Sequence, residues 1–475
     1  ITTTTTNNNT TDMPQSSQHV ALKGLWPLPR SATASDDLPF QLTQGDAFQF
    51  VAASGTWAAK SALLKRAFAR YHAHIFAPKR PHRQMDGRSA VRRLLSQSIA
   101  TPIPRLLANV TVAVASSDEA LQLGLNESYS LVVNQHGAFI TSDTIYGALH
   151  GLETFSQLVF RVDGGARLII NASLVEIHDR PRFAWRGLMI DTARHFHELT
   201  SIRTMLDGMA FNRLNVLHWH LTDQQSFPIK TIAFPRLVEG AYGGAGSTLH
   251  YTGDDIKEIV AYAKDRGIRV VPEIDSPGHT TSWQIGYPEI AVASMINPIS
   301  ETTFTILDAL IGELSSYFSD DFFHIGCDEV DFTSLNASAS VVEYMVQHDI
   351  PRTNRGFKSV IANYIGRLTT IVHNHNRTPI AWQEAMDHYG DSVDNPTPPA
   401  ATLPNNLVIE QWLSPVWNWA NLSAITGDSY ASTNDTWPRG HTGFRALTTN
   451  GWYLDATDDF DWSDRYTQEP LTNKT

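Results

Sequence analysis

From about residue 179 onward, short apolar segments alternate with stretches of helical spacing, seven times over. Apolar runs of that kind suit parallel strands, which need a long crossover to return to the same edge and are buried on both faces. The expected strands are 186–190, 214–220, 268–274, 322–325, 378–382, 407–411 and 443–448, with helices near 201–212, 254–266, 305–318 and 355–373. Each strand runs into polar or aromatic residues: Asp191, Asp223, Asp275, Asp328 and Glu329, Glu384, Trp412, and Trp452 to Asp455. Repeated βα units with functional groups at the strand tips predict an α/β fold, a (β/α)8 TIM barrel over 179–475. No eighth strand is found before Thr475. The barrel is therefore expected to be C-terminally incomplete in this chain, its last strand lying either on a second polypeptide or in a further stretch of the same one, since an open parallel barrel would leave two unpaired edges.

Ahead of the barrel, 19–178 reads as a small α/β domain, a sheet with helices on one face. Residues 106–115 and 129–134 are rich in β-branched and apolar types and read as strands. Ile145, Leu149, Leu152 and Phe155 share one stripe of a helix over 144–159, and 58–74 is a second helix. Residues 1–18 are Thr, Asn and Ser-rich and too polar to bury a core, so they read as a disordered tail.

With 42% hydrophobic residues the chain can fill a large interior, and its net charge of -12 shows no basic patch for nucleic acid. No apolar run is long enough to span a membrane. The single cysteine, Cys327, excludes an intrachain disulfide and a cysteine-based metal site. Asn-x-Ser/Thr acceptors stand at Asn8, Asn9, Asn109, Asn126, Asn171, Asn336, Asn376, Asn421, Asn434 and Asn473. That set points to the secretory route, with a secreted or lysosomal or vacuolar destination and a chain processed at its start.

The chemistry centres on Phe323-His324-Ile325-Gly326-Cys327-Asp328-Glu329-Val330. Two adjacent carboxyl residues have Cα atoms about 3.8 Å apart, and are badly placed to straddle a sugar ring as nucleophile and acid, which a retaining glycosidase separates by about 5–5.5 Å. They suit a scheme in which one donates a proton and the other steadies a charge made elsewhere. Asp223 caps the second strand, and the Pro277-Gly278 turn can aim His279 at the barrel mouth, where it could link Asp223 to Glu329. Glu329 is expected to be buried. Arg186 could grip sugar hydroxyls or pair structurally with Asp191. His218 and His220, with His195 to Glu198, could suggest a metal, but alternate residues of a barrel strand point into a packed interior, and satisfied core histidines are the preferred reading. Trp382, Trp412, Trp452 and Tyr453 repeat at successive strand ends, as flat sugar faces and an acetamido methyl require.

At Leu25-Trp26-Pro27-Leu28-Pro29, Gly147 to Phe155, Arg186 to His195, His218 to Pro228, Gly267 to His279, His324 to Phe332, Ala381 to Glu384 and Gly451 to Asp455, the chain resembles the β-N-acetylhexosaminidases of glycoside hydrolase family 20. The resemblance implies a small N-terminal domain, a catalytic barrel, and removal of terminal β-linked N-acetylglucosamine or N-acetylgalactosamine from glycans such as chitin fragments, with retention. It implies no metal or organic cofactor. Carried over, Glu329 is the general acid and then base, and Asp328 orients the acetamide whose own oxygen attacks the anomeric carbon. Tyr453 donates to that oxygen, Arg186 and Asp455 hold sugar hydroxyls, Asp223 and His279 support Glu329, and Trp382 and Trp412 wall the acetamide pocket. Trp452 and Glu384 are counted with the substrate-binding residues. Members often form homodimers, and no residue here fixes that. Cys327 departs from a usual Gly and is expected to be tolerated, since Cys is small and packs well, with a shifted strand tip and a redox-sensitive or weakened site as the alternative; Gln224 departs from a common second Asp. Two other readings compete: a non-catalytic N-acetylhexosamine-binding protein, and a metal-dependent hydrolase using His218 and His220.

Overall fold

The computed structural model of the chain describes residues 20–35, 38–77, 104–387, 406–412 and 445–449. These fall into two compact units, one running to Arg186 and including 206–215 and 264–268, the other holding the remainder.

The first unit contains a six-stranded mixed sheet in the order Ser31–Ser35, Leu174–Asp179, Tyr129–Asn134, Gly137–Ser142, Asn109–Val114, Gln49–Ala52. Burial alternates residue by residue along Tyr129–Asn134, the period of a strand with one packed face. Val110, Val112, Leu131 and Ile140 of that face join Leu64, Leu152 and Phe155 of the helices Ala62–Phe76 and Ile145–Leu158 in one core. The second helix lies hard against the sheet. A Cβ on Gly147 would run into the Ser128 carbonyl, and one on Gly151 would come within 2.6 Å of Ile140. Its start is fixed by Thr144, whose Oγ1 accepts the Gly147 N–H at 3.2 Å. The glycines of that motif are thus set by close approach rather than by chemistry. The single strand expected over 106–115 is divided. Arg105–Leu107 joins a separate four-stranded sheet beside Phe40–Leu42, while Asn109–Val114 enters the six-stranded one.

The second unit is built on seven parallel strands in chain order: Gly187–Asp191, Val216–Thr222, Arg269–Ile274, Phe322–His324, Thr378–Trp382, Val408–Gln411 and Arg445–Thr448. Every residue of the second and third is buried, because these strands are covered on both faces. The helices Gly253–Lys264, Glu301–Ser315 and Asn354–Asn374 follow the second, third and fourth strands. This is the sheet of a TIM barrel, as the sequence predicts, with ends agreeing to within a few residues. An eighth strand is not among the described residues. At the start of the third strand, Arg269 closes a bidentate pair with Asp320, at 2.6 and 2.9 Å, and both side chains are 1% exposed.

Candidate active site

Strands that run parallel deliver their C-terminal ends to one side, so the groups that follow them converge. After Phe322–His324 the backbone turns sharply, with Gly326 at φ +68, Cys327 at +77 and Glu329 at +48, all left-handed. A Cβ at Gly326 would overlap the Asp275 side chain, and Asp275 Oδ1 accepts the Cys327 N–H at 3.2 Å. The third strand's acid thereby holds the fourth strand's turn. The turn sends the two neighbouring carboxyls different ways. The Asp328 side chain is 16% exposed, while that of Glu329 is 58% exposed, which corrects the expectation that Glu329 is buried.

His279, itself at φ +54, stands between the two acids. Its Nε2 lies 3.4 Å from Glu329 Oε2 and 3.7 Å from Asp328 Oδ2, and its Nδ1 is 3.2 Å from Asp223 Oδ1. Burial disfavours the imidazolium, but the hydrogen bond to Asp223 and the charge of Asp328 outweigh it and raise its pKa. Asp223 is fully buried and would be costly as an anion, yet bonds from His220 and His279 and the Arg194 guanidinium hold it well below the usual carboxylate range. Asp275 and Asp328 form a buried hydrogen-bonded pair. Burial and the facing charge of Asp328 push Asp275 far up, so Asp275 keeps the proton. Burial and Glu273 also raise Asp328, against the pull of His279. Asp328 Oδ1 is buried and receives no N–H among the described residues; the proton kept by Asp275 is the donor that the pair itself supplies.

The structure does not bring Arg186 to these strand ends. It precedes the first strand, and its guanidinium is bound by Glu127 at 2.6 and 3.0 Å and by the carbonyls of Phe183 and Arg213. The arginine at the C-terminal end of that strand is Arg194, which sequence reasoning passed over. Its side chain is 38% exposed and reaches Asp191 at 2.8 Å and Asp223 at 2.6 Å. The signal was available in Asp191-Thr192-Ala193-Arg194, because a residue after a strand, not before it, faces the barrel mouth.

Trp382 and Trp412 stand at 66° with ring centroids 6.3 Å apart. Trp382 donates Nε1–H to Glu273 Oε1 at 2.9 Å, and Trp412 donates to Glu384 Oε2 at 2.9 Å. Glu384, expected among the substrate-binding residues, is 3% exposed and its carboxyl is taken up by the indole of Trp412. Burial lifts its pKa to about 7 against that bond. Trp452, Tyr453 and Asp455 lie outside the described residues.

His218 and His220 point into the barrel, as expected of core histidines, and both meet Glu273 Oε2, at 2.8 and 2.7 Å. Donor atoms of His218, Glu273 and His324, of Asp223, Asp275 and His279, and of His279, Asp328 and Glu329 lie close enough to hold a cation. In the first group the line from His218 to Glu273 is already a hydrogen bond.

Cys327 is 0% exposed, and burial together with Asp275 and Asp328 pushes its thiol well up. An inaccessible protonated thiol reacts poorly, which disfavours a redox-sensitive site. The cost at this position is conformational, since a side chain at φ +77 is about 1–2 kcal/mol worse than glycine. Cys327→Ala and Cys327→Gly both lose the sulfur, but only Ala keeps the strained Cβ. After allowing for glycine's extra freedom when unfolded, the Gly variant is expected to be more stable than the Ala variant by about 1 kcal/mol. Urea midpoints of the two compare them directly, and the reverse order would show that the turn is not strained.

A parallel barrel with an acid, a buried relay behind it and angled indoles at its strand ends has the makings of a glycoside hydrolase. The catalytic-domain model of glycosyl hydrolase family 20 matches residues 183–430, and a model described as beta-acetyl hexosaminidase like matches 25–158. Beta-hexosaminidase subunit beta of Felis catus is 34% identical over 473 residues, covering 96% of this chain and 80% of the relative. The Homo sapiens subunit beta is 32% identical, covering 94% and 74%. Among solved structures, the Flavobacterium johnsoniae chitobiase superposes with a TM-score of 0.72 at 25% identity over 95% of this chain, which spans 62% of that one. The chain belongs to glycosyl hydrolase family 20.

Proposed function

We propose that this chain is an exo-acting β-N-acetylhexosaminidase, removing terminal β-linked N-acetylglucosamine or N-acetylgalactosamine with retention. The observation that carries the reading is the Asp328 carboxyl beside Glu329, whose buried Oδ1 receives no N–H among the described residues. An acetamide N–H is a donor of the right kind for it. Held there, the acetamide carbonyl oxygen attacks the anomeric carbon as the glycosidic C–O bond breaks, and Glu329 gives its proton to the departing oxygen. The cyclic oxazolinium so formed is steadied by the Asp328 carboxylate. Glu329, now a base, takes a proton from the water that reopens the ring at the anomeric carbon. Two inversions leave the β configuration. Adjacent acids suffice because the substrate supplies the nucleophile.

Arg194 takes the hydroxyl-holding role first given to Arg186, supported by its half-exposed guanidinium at the barrel mouth. Tyr453 and Asp455 keep the roles that the family resemblance gives them. The names of the relatives, and a family neighbour from Vibrio harveyi solved with N-acetylglucosamine, agree with the sugar. No helix among the described residues is long and apolar enough to cross a membrane; the acceptor asparagines support a secretory or lysosomal location.

The test is a pair of aryl β-glycosides differing only in the 2-acetamido group. The acetamido sugar is expected to be cleaved at least about 10³-fold faster, because the plain glucoside lacks an internal nucleophile. Comparable rates on both would defeat the mechanism.

A further inference from the structure

Behind the acids lies a second carboxylate that the reaction as written does not use. Glu273 sits in the third strand with 0% exposure. Its Oε2 meets His218 Nε2 at 2.8 Å and His220 Nδ1 at 2.7 Å, and its Oε1 accepts the Trp382 indole N–H at 2.9 Å. His324 Nδ1 is 3.2 Å from Oε1 but accepts the Gly326 N–H at 3.1 Å, so it gives Glu273 no proton. Glu410 faces the same space from the sixth strand, 3.9 Å from His218 and 3.6 Å from His324.

The two oxygens lead in two directions. From Oε2, His220 Nδ1 bonds to Glu273 and its Nε2 reaches Asp223 Oδ2 at 3.1 Å. The two carboxylates at that ring are acceptors when ionised and call for hydrogen on both ring nitrogens, a cationic His220, while the Arg194 guanidinium also lies 3.2 Å from Nε2. Its pKa of about 10 agrees: burial opposes the charge and Glu273 outweighs burial. Asp223 passes the line to His279 and so to Glu329. From Oε1, the bond runs to Trp382, a wall of the proposed acetamide pocket.

We propose that Glu273 is a positioning residue of the reaction, fixing the acid's relay with one oxygen and the acetamide-pocket indole with the other, so that one carboxylate sets proton delivery and acetamide seating together. The inference rests on the function proposed above. Only a carboxylate can do this. An amide in its place offers one acceptor and one donor, and the donor would face either the His220 N–H or the Trp382 N–H.

The charge has a further consequence. The Glu273 charge acts on Asp275, two residues further along, and on Asp328, and raises both; His279, Asp223, Arg194, Cys327, Tyr364 and Glu384 are among the other titratable groups about that pair. Asp328 must be ionised to accept the acetamide N–H, so its protonation sets the acidic limb of the pH–rate profile. Removing the Glu273 charge lowers the pKa of the pair and should carry that limb to lower pH. Removing the neutral Trp382 N–H leaves the formal charge of Glu273 as it was and should leave that limb near its place.

Glu273→Gln, Trp382→Phe and Glu329→Gln, each in the full chain, are compared with wild type on an aryl N-acetyl-β-glucosaminide across pH. Glu273→Gln is expected to lose about 10²-fold in kcat, the effect of a small misplacement of the catalytic groups, with its acidic limb moved down. Trp382→Phe is expected to raise KM with its acidic limb in place. A merely structural role for Glu273 would lower the amount of active enzyme and leave its limb in place. If Glu273→Gln does not fold, Trp382→Phe alone decides: an unchanged KM overturns the inference. Unchanged turnover in Glu329→Gln would instead sink the function itself.

Discussion

Glu329→Gln should cut turnover of an aryl N-acetyl-β-glucosaminide by about 10²–10⁴-fold, the usual worth of a positioned acid–base group. The amide keeps the shape of the side chain and cannot give up a proton. Because the Glu329 side chain is 58% exposed, the substitution should leave stability within about 0.5 kcal/mol of wild type. The loss should depend on the leaving group. A nitrophenolate departs without much help, so its release suffers least, while a sugar alkoxide needs the proton and should be lost almost entirely. KM should change little, since the group acts in the transition state rather than in binding. Steady-state kinetics on nitrophenyl, phenyl and disaccharide substrates give the slope of rate against leaving-group pKa. A variant whose loss is the same for all three would remove Glu329 from the acid's role.

The second large effect concerns stability. Arg269→Met should destabilise the chain by about 3–5 kcal/mol, as expected when one member of a buried ion pair is removed. Arg269 opens the third barrel strand, and its fork meets both oxygens of Asp320 at 2.6 and 2.9 Å with both side chains 1% exposed. Asp320 Oδ1 also accepts the Phe322 N–H at 2.9 Å at the start of the fourth strand. Without the arginine, a carboxylate is left in the interior with the Phe322 N–H still donating to it but no facing charge. Adding Asp320→Asn should recover part of the loss, because Asn keeps an acceptor for Phe322 without the charge. Denaturant titration of both single variants and the double closes the cycle. Activity of whatever remains folded should be normal, since the pair lies at the opposite ends of the strands from Asp328 and Glu329. A cost under about 1 kcal/mol for Arg269→Met, typical of exposed pairs, would show that the pair is wet.

Much of the fold could be read along the chain, because a strand buried on both faces announces itself as an apolar run. Thr378–Trp382 is found where the residues place it, and the other barrel strands shift by a few positions. The relay from Asp223 through His279 to Glu329 was legible for a related reason: all three follow strands, and strand ends meet. What failed were judgements that depend on a side chain's distant partner. Arg186 and Arg194 flank the same strand, and only the strand's direction separates them. Glu384 follows its strand as a sugar ligand should, yet its carboxyl answers an indole 28 positions away. Glu273 stood in plain view in Pro272-Glu273-Ile274, but a carboxylate inside an apolar strand gives no hint of how many donors surround it. Glu329 is not buried as expected, because the left-handed turn that follows the strand carries its side chain outward.

That turn makes the acidic pair a property of backbone dihedrals as much as of residue type. Transplanting Asp-Glu onto the tip of another barrel strand would deliver two side chains on opposite faces of an extended segment. To reproduce the arrangement, a designer would have to carry over Gly326, the left-handed angles of the two residues that flank Asp328, and the neighbouring Asp275 that anchors the bend. By the same logic, a search for such enzymes by dipeptide alone would gather many chains whose carboxyls never share a histidine.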